Sequence, residues 1–142
     1  KKFNKKLPKI KILTKKYNSM YGLYKSCDAL ISATSSEGFG LPMLESINSK
    51  LLVISPIQTG QSDFLNKDNC IEVCGEYISA PKNYQYWRET YGAKIFMPSI
   101  DDLSLKMRMA YSGGHESLIS RAFSDSLEYT WGKAVDKIMD IV

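Results

Sequence analysis

The residues best suited to chemistry in this 142-residue chain lie in the stretch from Ser35 to Glu45, SSEGFGLPMLE. Glu37 and Glu45 bracket a turn containing Gly38 and Gly40, and Pro42 stands where a helix can begin. A helix that starts near Gly40 leaves its first N–H groups without intrahelical partners, and its macrodipole adds partial positive charge there. The glycines let a ligand approach the main chain closely. Together these features suit a phosphate or diphosphate. The stretch is not a Walker loop, which needs Gly-Lys-Ser/Thr, and it lacks the GxGxxG dinucleotide fingerprint. The glutamates add a second requirement. Carboxylates repel phosphate but accept hydroxyl groups, even in pairs. If the loop and one helical turn bring both to one crevice, the ligand carries hydroxyls on either side of a diphosphate. A nucleotide sugar meets that description. An ordinary strand-to-helix connection, with glycines in its turn and an acid near the helix start, accounts for the same residues.

The flanking elements place this stretch. Residues 9–13 (KIKIL) alternate charged and apolar and read as a short strand. Asn18 or Ser19 caps a short helix carrying Met20, Leu23 and Tyr24. Residues 29–33 (ALISA) read as a buried strand, followed by the glutamate stretch and a helix over about 41–48. Residues 51–55 (LLVIS) form the clearest strand, a continuous apolar run of the kind found in parallel sheets. A loop follows to residue 61, then one helical turn over 62–65 and a short strand over 70–73. Residues 74–92 have no strong period and read as an irregular excursion. A last strand is expected over 93–97, with a capping box at Ser99 opening a helix that Gly113 and Gly114 break. A further helix covers 115–123, and Thr130 caps a final one whose apolar face begins at Trp131, a face expected to join the core. Strands alternating with helices predict an α/β fold, a mostly parallel, Rossmann-like sheet with helices on both faces. In such sheets ligands bind beyond the carboxyl ends of the strands, where the glutamate stretch falls. By the same rule Thr14 and Lys15, ending the first strand, line a nucleobase pocket.

Composition narrows the setting. With 44% hydrophobic and 24% charged residues, the chain reads as one globular domain over 1–142 and not as disordered. No apolar run approaches the roughly 20 residues of a membrane span, and no signal peptide is read. Cys27, Cys70 and Cys74 are an odd number without metal-finger spacing, which favours a reducing, cytoplasmic setting. A single histidine, His115, leaves little room for a histidine triad or a multi-histidine metal site. The net charge of +4 belongs to one end, because residues 1–16 hold eight lysines and no acid. That lysine-rich lead-in is either a solvated approach to the first strand or a patch for acidic head groups at the inner face of a membrane. Without interleaved aromatics it does not read as a nucleic-acid surface.

The sequence E-G-F-G-L-P-M-L-E resembles the E-x7-E signature of family-four retaining glycosyltransferases, the group 1 glycosyl transferases of two-domain GT-B fold. Flanking runs agree. Leu23 to Ile31 is similar to the family's L-Y-x-x-x-D-x-x-(V/I), and Tyr129-Thr130-Trp131 to its (F/Y)-(S/T)-W. Residues 46–54 resemble the run after the signature, and Pro98 to Leu103 its P-x-D-x-L helix start. The resemblance implies a C-terminal donor-binding domain of a hexosyltransferase in glycan biosynthesis. Glu37 would contact the transferred sugar near the reacting carbon, as the catalytic residue. The backbone of Gly38, Phe39, Gly40 and Leu41 would hold the sugar and diphosphate, and Glu45 the ribose. It implies no metal and no cofactor beyond the donor substrate, and retention of configuration with the departing diphosphate stabilised electrostatically.

Departures from the family also carry expectations. Its basic pair, in a G-R-x-x-x-x-K-G stretch, and its first two strands would lie upstream of residue 1, as would the acceptor-binding domain. In the strand order 3-2-1-4-5-6, KIKIL is strand three and ALISA strand four. The expectation is therefore a piece of a longer enzyme, or a chain that a partner subunit completes, with a glycan, lipid or protein acceptor. Residues 48–51 (NSKL) replace the family's Ala-x-Gly-x-Pro, and Asp63 replaces the acid after its glycine loop. Two other functions stand beside this one. A non-hydrolysing nucleotide-sugar epimerase has the same fold, but G-F-G-L-P between the glutamates argues against it. A non-catalytic module that binds a nucleotide or a partner fits the absent basic pair.

Overall fold

The computed structural model describes residues 9–14, 17, 19–80 and 93–141. The elements run α1 (Tyr21–Lys25), β1 (Ala29–Ile31), α2 (Leu41–Asn48), β2 (Leu52–Ser55), a 3-10 turn (Thr59–Asp63) and β3 (Ile71–Glu72). Then come β4 (Gly75–Ser79), β5 (Lys94–Pro98), α3 (Ile100–Tyr111), α4 (Glu116–Ser126) and α5 (Trp131–Met139). β1, β2 and β3 make a parallel sheet in that order, with Leu30 opposite Val53 and Ile54 opposite Ile71. Parallel neighbours need a crossover, and α2 supplies it between β1 and β2.

All four residues of β2 are buried, so the strand is covered on both faces. Successive side chains alternate sides. Val53 packs with Met43, Leu44 and Ile47 of α2, together with Phe64 and Leu65. Leu52 and Ile54 pack on the other side with Ile71 and Val73, and with Leu103 and Ala110 of α3. Helices therefore cover both faces of a parallel sheet, as the alternating pattern predicts. Ser46 shows how α2 tolerates a polar residue in this core: it is fully buried, and its hydroxyl donates to the Pro42 carbonyl at 2.7 Å.

Local signals explain the helix ends. At the C-terminus of α2, Lys50 N–H reaches Ile47 O and Leu51 N–H reaches Ser46 O, both at 3.0 Å. That paired closure places Lys50 at φ 62°, a left-handed conformation glycine usually takes. Its ammonium lies 4.5 Å over the Phe123 ring, which offsets part of that cost. Ser99 caps α3 by accepting from Asp102 N–H at 3.2 Å, and Thr130 caps α5 by accepting from Lys133 N–H at 3.2 Å.

Several expectations need correction. Residues 9–14 form no strand. Ile10 and Ile12 are 80% and 81% exposed, and no strand among the described residues lies beside them to pair with. The excursion expected over 74–92 is in part a strand: β4 pairs antiparallel with β5, Tyr77 opposite Phe96 with ring centres 5.4 Å apart. Residues 81–92 lie outside the described residues. The pairing was hidden because β4 is mostly exposed and carries no clean alternation of apolar side chains. Trp131 does not join the core but is 88% exposed, and Val135, Ile138 and Met139 of α5 are exposed with it. No helix among the described residues is long and apolar enough to cross a membrane.

Core and surface should respond differently to truncation. Ile47→Ala is expected to lower unfolding free energy by about 2–5 kcal/mol, and Trp131→Ala by less than about 0.5 kcal/mol. Urea denaturation of each variant measures both. Cys70 is buried, and burial first, then the nearby Glu72 charge, push its thiol up to about 12. Alkylation at mild alkaline pH should therefore label Cys27 and Cys74, which are exposed, and reach Cys70 only on unfolding. Between about 9 and about 12 the unfolded chain loses a proton the folded chain keeps. Stability should fall across that window, and Cys70→Ala should flatten the fall.

Candidate functional site

The site is built where the loop after β1 meets the loop after β2. Glu37 is held there by its backbone. Its N–H donates to Thr59 Oγ1 at 2.9 Å, and its carbonyl accepts from Gly60 N–H at 3.1 Å. The Thr59 hydroxyl donates to Gln61 Oε1 at 3.1 Å, and Gln61 Nε2 donates to the Pro56 carbonyl at 3.1 Å. Gln61 is fully buried, so the relay runs from the end of β2 to the first glutamate. Thr59 has φ 68°, a left-handed conformation that costs a β-branched residue about 1–3 kcal/mol. A strained residue whose hydroxyl both accepts from Glu37 N–H and donates to Gln61 belongs at a site held to one shape.

Two contacts bring the loops together. A Cβ added to Gly60 would lie 2.1 Å from the Gly38 carbonyl oxygen, so only glycine allows this approach. The Phe39 ring points inward, its centre 5.3 Å from Phe64 and 6.3 Å from Tyr129. Phe39 therefore anchors the loop with its side chain.

The loop backbone is rich in free donors. Gly40 caps α2 at φ 89°, ψ 43°, and its carbonyl accepts from both Met43 N–H (2.9 Å) and Leu44 N–H (3.2 Å). Pro42 has no N–H. Among the described residues no group accepts from the N–H of Gly38, Phe39, Gly40 or Leu41. A left-handed residue within a run of free N–H groups is the backbone geometry of anion-binding nests. Gly38 and Leu41 are exposed, Phe39 is half-buried and Gly40 is buried.

Glu45 lies within α2, four residues beyond Leu41. It is exposed, and its Oε2 accepts from the Tyr24 hydroxyl of α1 at 2.8 Å. Tyr24 is buried; that burial first, then the hydrogen bond and charge of Glu45, push its phenol up to about 12. A cavity of about 440 Å³ lies between α1 and α2, lined by Met20, Tyr21, Tyr24, Glu45, Asn48 and Ser49. Glu37 does not line it. The two glutamates thus bracket the 38–41 N–H run in sequence, each with its own set of partners.

Thr14 is exposed and ends no strand, so the strand-end argument for a nucleobase pocket falls with KIKIL; Lys15 lies outside the described residues. Sequence reasoning missed Thr59, Gln61 and the Tyr24–Glu45 pair. A tyrosine on a buried helix face needs a hydroxyl partner, which was the one available signal for Tyr24. Nothing in the spacing marks Thr59 or Gln61, because their role arises only when two loops meet. Compared with known proteins, the chain matches no family model, and no curated protein matches it in sequence.

The loop contact is testable apart from any ligand. Gly60→Ala should force Gly38 away and destabilise the fold by about 1–3 kcal/mol, with faster amide exchange across residues 38–41. Gly22→Ala, with nothing within 4 Å of its new methyl, should be neutral or stabilise α1 by up to about 1 kcal/mol. Hydrogen exchange and urea denaturation of the two variants check the contrast.

Proposed function

We propose that this chain is the donor-binding part of a nucleotide-sugar-dependent glycosyltransferase of GT-B architecture that retains anomeric configuration. One observation carries the reading. Four consecutive main-chain N–H groups, from Gly38 to Leu41, have no acceptor among the described residues at a strand-to-helix turn beyond the sheet, and a glutamate flanks them on each side in sequence. The resemblance of residues 37–45 to the family signature supplies the assignment of roles.

In this reading the free N–H groups take the diphosphate, and their fixed dipoles stabilise the charge that grows on it as the sugar bond breaks. Glu37, held by Thr59 and Gly60, lies beside the reacting sugar carbon. Glu45 accepts hydroxyls of the ribose. Donor charge is met by backbone donors, and basic residues from outside the described chain complete the pocket. The acceptor, a glycan, lipid or protein, is presented by another part of a longer enzyme or by a partner subunit. Such a donor pool places the reaction in the cytoplasm, with the lysine-rich lead-in meeting the inner face of a membrane.

A second reading, a module that binds a nucleotide without turning it over, has one observation in its favour: among the described residues no lysine or arginine side chain hydrogen-bonds the 37–41 loop. Turnover separates the two. Calorimetric titration with UDP, GDP and ADP should show one preferred nucleotide, undiminished by EDTA. Glu45→Ala should weaken it about tenfold, the worth of one good hydrogen bond to a charged group. Glu37→Ala in the intact parent protein should abolish sugar transfer while leaving nucleotide binding within about twofold. Unchanged affinity in Glu45→Ala would remove the ribose assignment.

A further inference from the structure

We propose that Tyr24 is a positioning residue: its buried hydroxyl holds Oε2 of Glu45 and leaves Oε1 to accept one specific sugar hydroxyl in the cavity between α1 and α2. The inference rests on the donor-site reading and deepens it by naming what orients the second glutamate and how selective that glutamate becomes.

Four observations carry it. Glu45 is exposed, so its side chain would otherwise sample several rotamers in water. Its one side-chain hydrogen bond among the described residues is the 2.8 Å bond from Tyr24, and no lysine or arginine among them pairs with it. Tyr24 itself is 7% exposed, and a rigid aromatic body buried in α1 gives the carboxylate a fixed anchor. The cavity of about 440 Å³ that both residues line also contains Asn48, one helical turn beyond Glu45, whose amide both donates and accepts.

The chemistry of the pair follows. A carboxylate with both oxygens free accepts hydroxyls from many directions and discriminates poorly between them. With one site on Oε2 taken by Tyr24 and the carboxylate held in one orientation, Oε1 is the oxygen with both acceptor sites open, and a diol hydroxyl that does not reach it is better satisfied elsewhere. Asn48 is the polar group at hand. The tyrosine stays a donor throughout the physiological range, since its phenol is pushed up to about 12. The orientation of Glu45 therefore does not switch with pH near neutrality. Loss of one such positioned acceptor is felt chiefly by the ligand that carries the hydroxyl.

The test compares ribose with deoxyribose. The full chain is titrated with UDP, GDP and ADP and with their 2′-deoxy and 3′-deoxy counterparts, for the unaltered protein and for Tyr24→Phe and Glu45→Ala. The unaltered protein should prefer the ribonucleotide by about tenfold over at least one deoxy form. Tyr24→Phe should cut that preference to about twofold or less while changing the affinity of the deoxy form little. A mere packing role for Tyr24 would lower both affinities together and keep their ratio, and that result overturns the inference. Retention of the ratio in Tyr24→Phe but not in Glu45→Ala overturns it while sparing the donor-site reading. A chain that binds none of the three nucleotides overturns both. As a second variant, Glu45→Gln keeps an oxygen acceptor for Tyr24 and should retain a larger share of the ratio than Glu45→Ala, which guards against loss of fold in either substitution.

Discussion

Burial of β2 from both sides is the constraint on which the other elements depend. A four-residue strand with every side chain covered needs apolar partners above and below it. α2 provides one face through Met43, Leu44 and Ile47, and α3 the other through Leu103 and Ala110. At roughly 25 cal/mol per Å² of apolar surface, such a sandwich is the largest favourable contribution these elements can make. It also fixes where β2 ends. The buried Ser55 and Pro56 turn the chain into the loop that carries Thr59, Gly60 and Gln61. The site residues are thus placed by the core as well as by their own contacts.

The relay from Pro56 through Gln61 and Thr59 to Glu37 then converts core position into site shape. Each of its hydrogen bonds is worth about 1 kcal/mol net, comparable with the cost of the left-handed Thr59. Stability therefore gains little from the arrangement. What it gains is one conformation for the Glu37 backbone, because the buried amide of Gln61 leaves no alternative that satisfies its polar atoms. The Phe39, Phe64 and Tyr129 rings do the same for the next two residues, packed within 6.3 Å of one another. Loop conformation, set by packing on one side and hydrogen bonds on the other, is what leaves the four N–H groups with no acceptor among the described residues.

How much of this was legible in the sequence depends on the range of the interaction. LLVIS and the Pro42 helix read correctly because a continuous apolar run and a first-turn proline are local statements with one main structural meaning. KIKIL read as a strand on equally good alternation, yet a strand is a pairing, and no strand among the described residues lies beside Lys9 to Leu13. β4 failed in the opposite direction. Gly75 to Ser79 has no pattern of its own and becomes a strand through β5, nearly twenty residues further on. Trp131 shows a third limit. Helical spacing of apolar residues states that α5 has an apolar face, but not that anything covers it, and in the structure that face is open. The two glutamates were visible from the start as residue types. Their separate partners, Thr59 and Tyr24, were not, since each lies about twenty residues away in the chain.

The position of the donors changes the physical account of the glutamate stretch. Read as sequence, its anion affinity belongs to the start of a helix, with the macrodipole and the first-turn N–H groups as its source. The structure removes most of those groups from service. Pro42 has no N–H, and Gly40 O takes both Met43 N–H and Leu44 N–H within the first turn. What remains free lies upstream, in Gly38, Phe39 and Gly40, with Leu41 the helix's sole contribution. Affinity for a diphosphate would then rest on loop geometry more than on the helix dipole, which fades within a turn and is screened by salt. On the diphosphate reading, the strained threonine, the buried glutamine and the glycine in contact with Gly38 O would serve to hold that loop. A dipole needs only a helix, whereas a run of aimed N–H groups needs every neighbouring residue to hold the loop still.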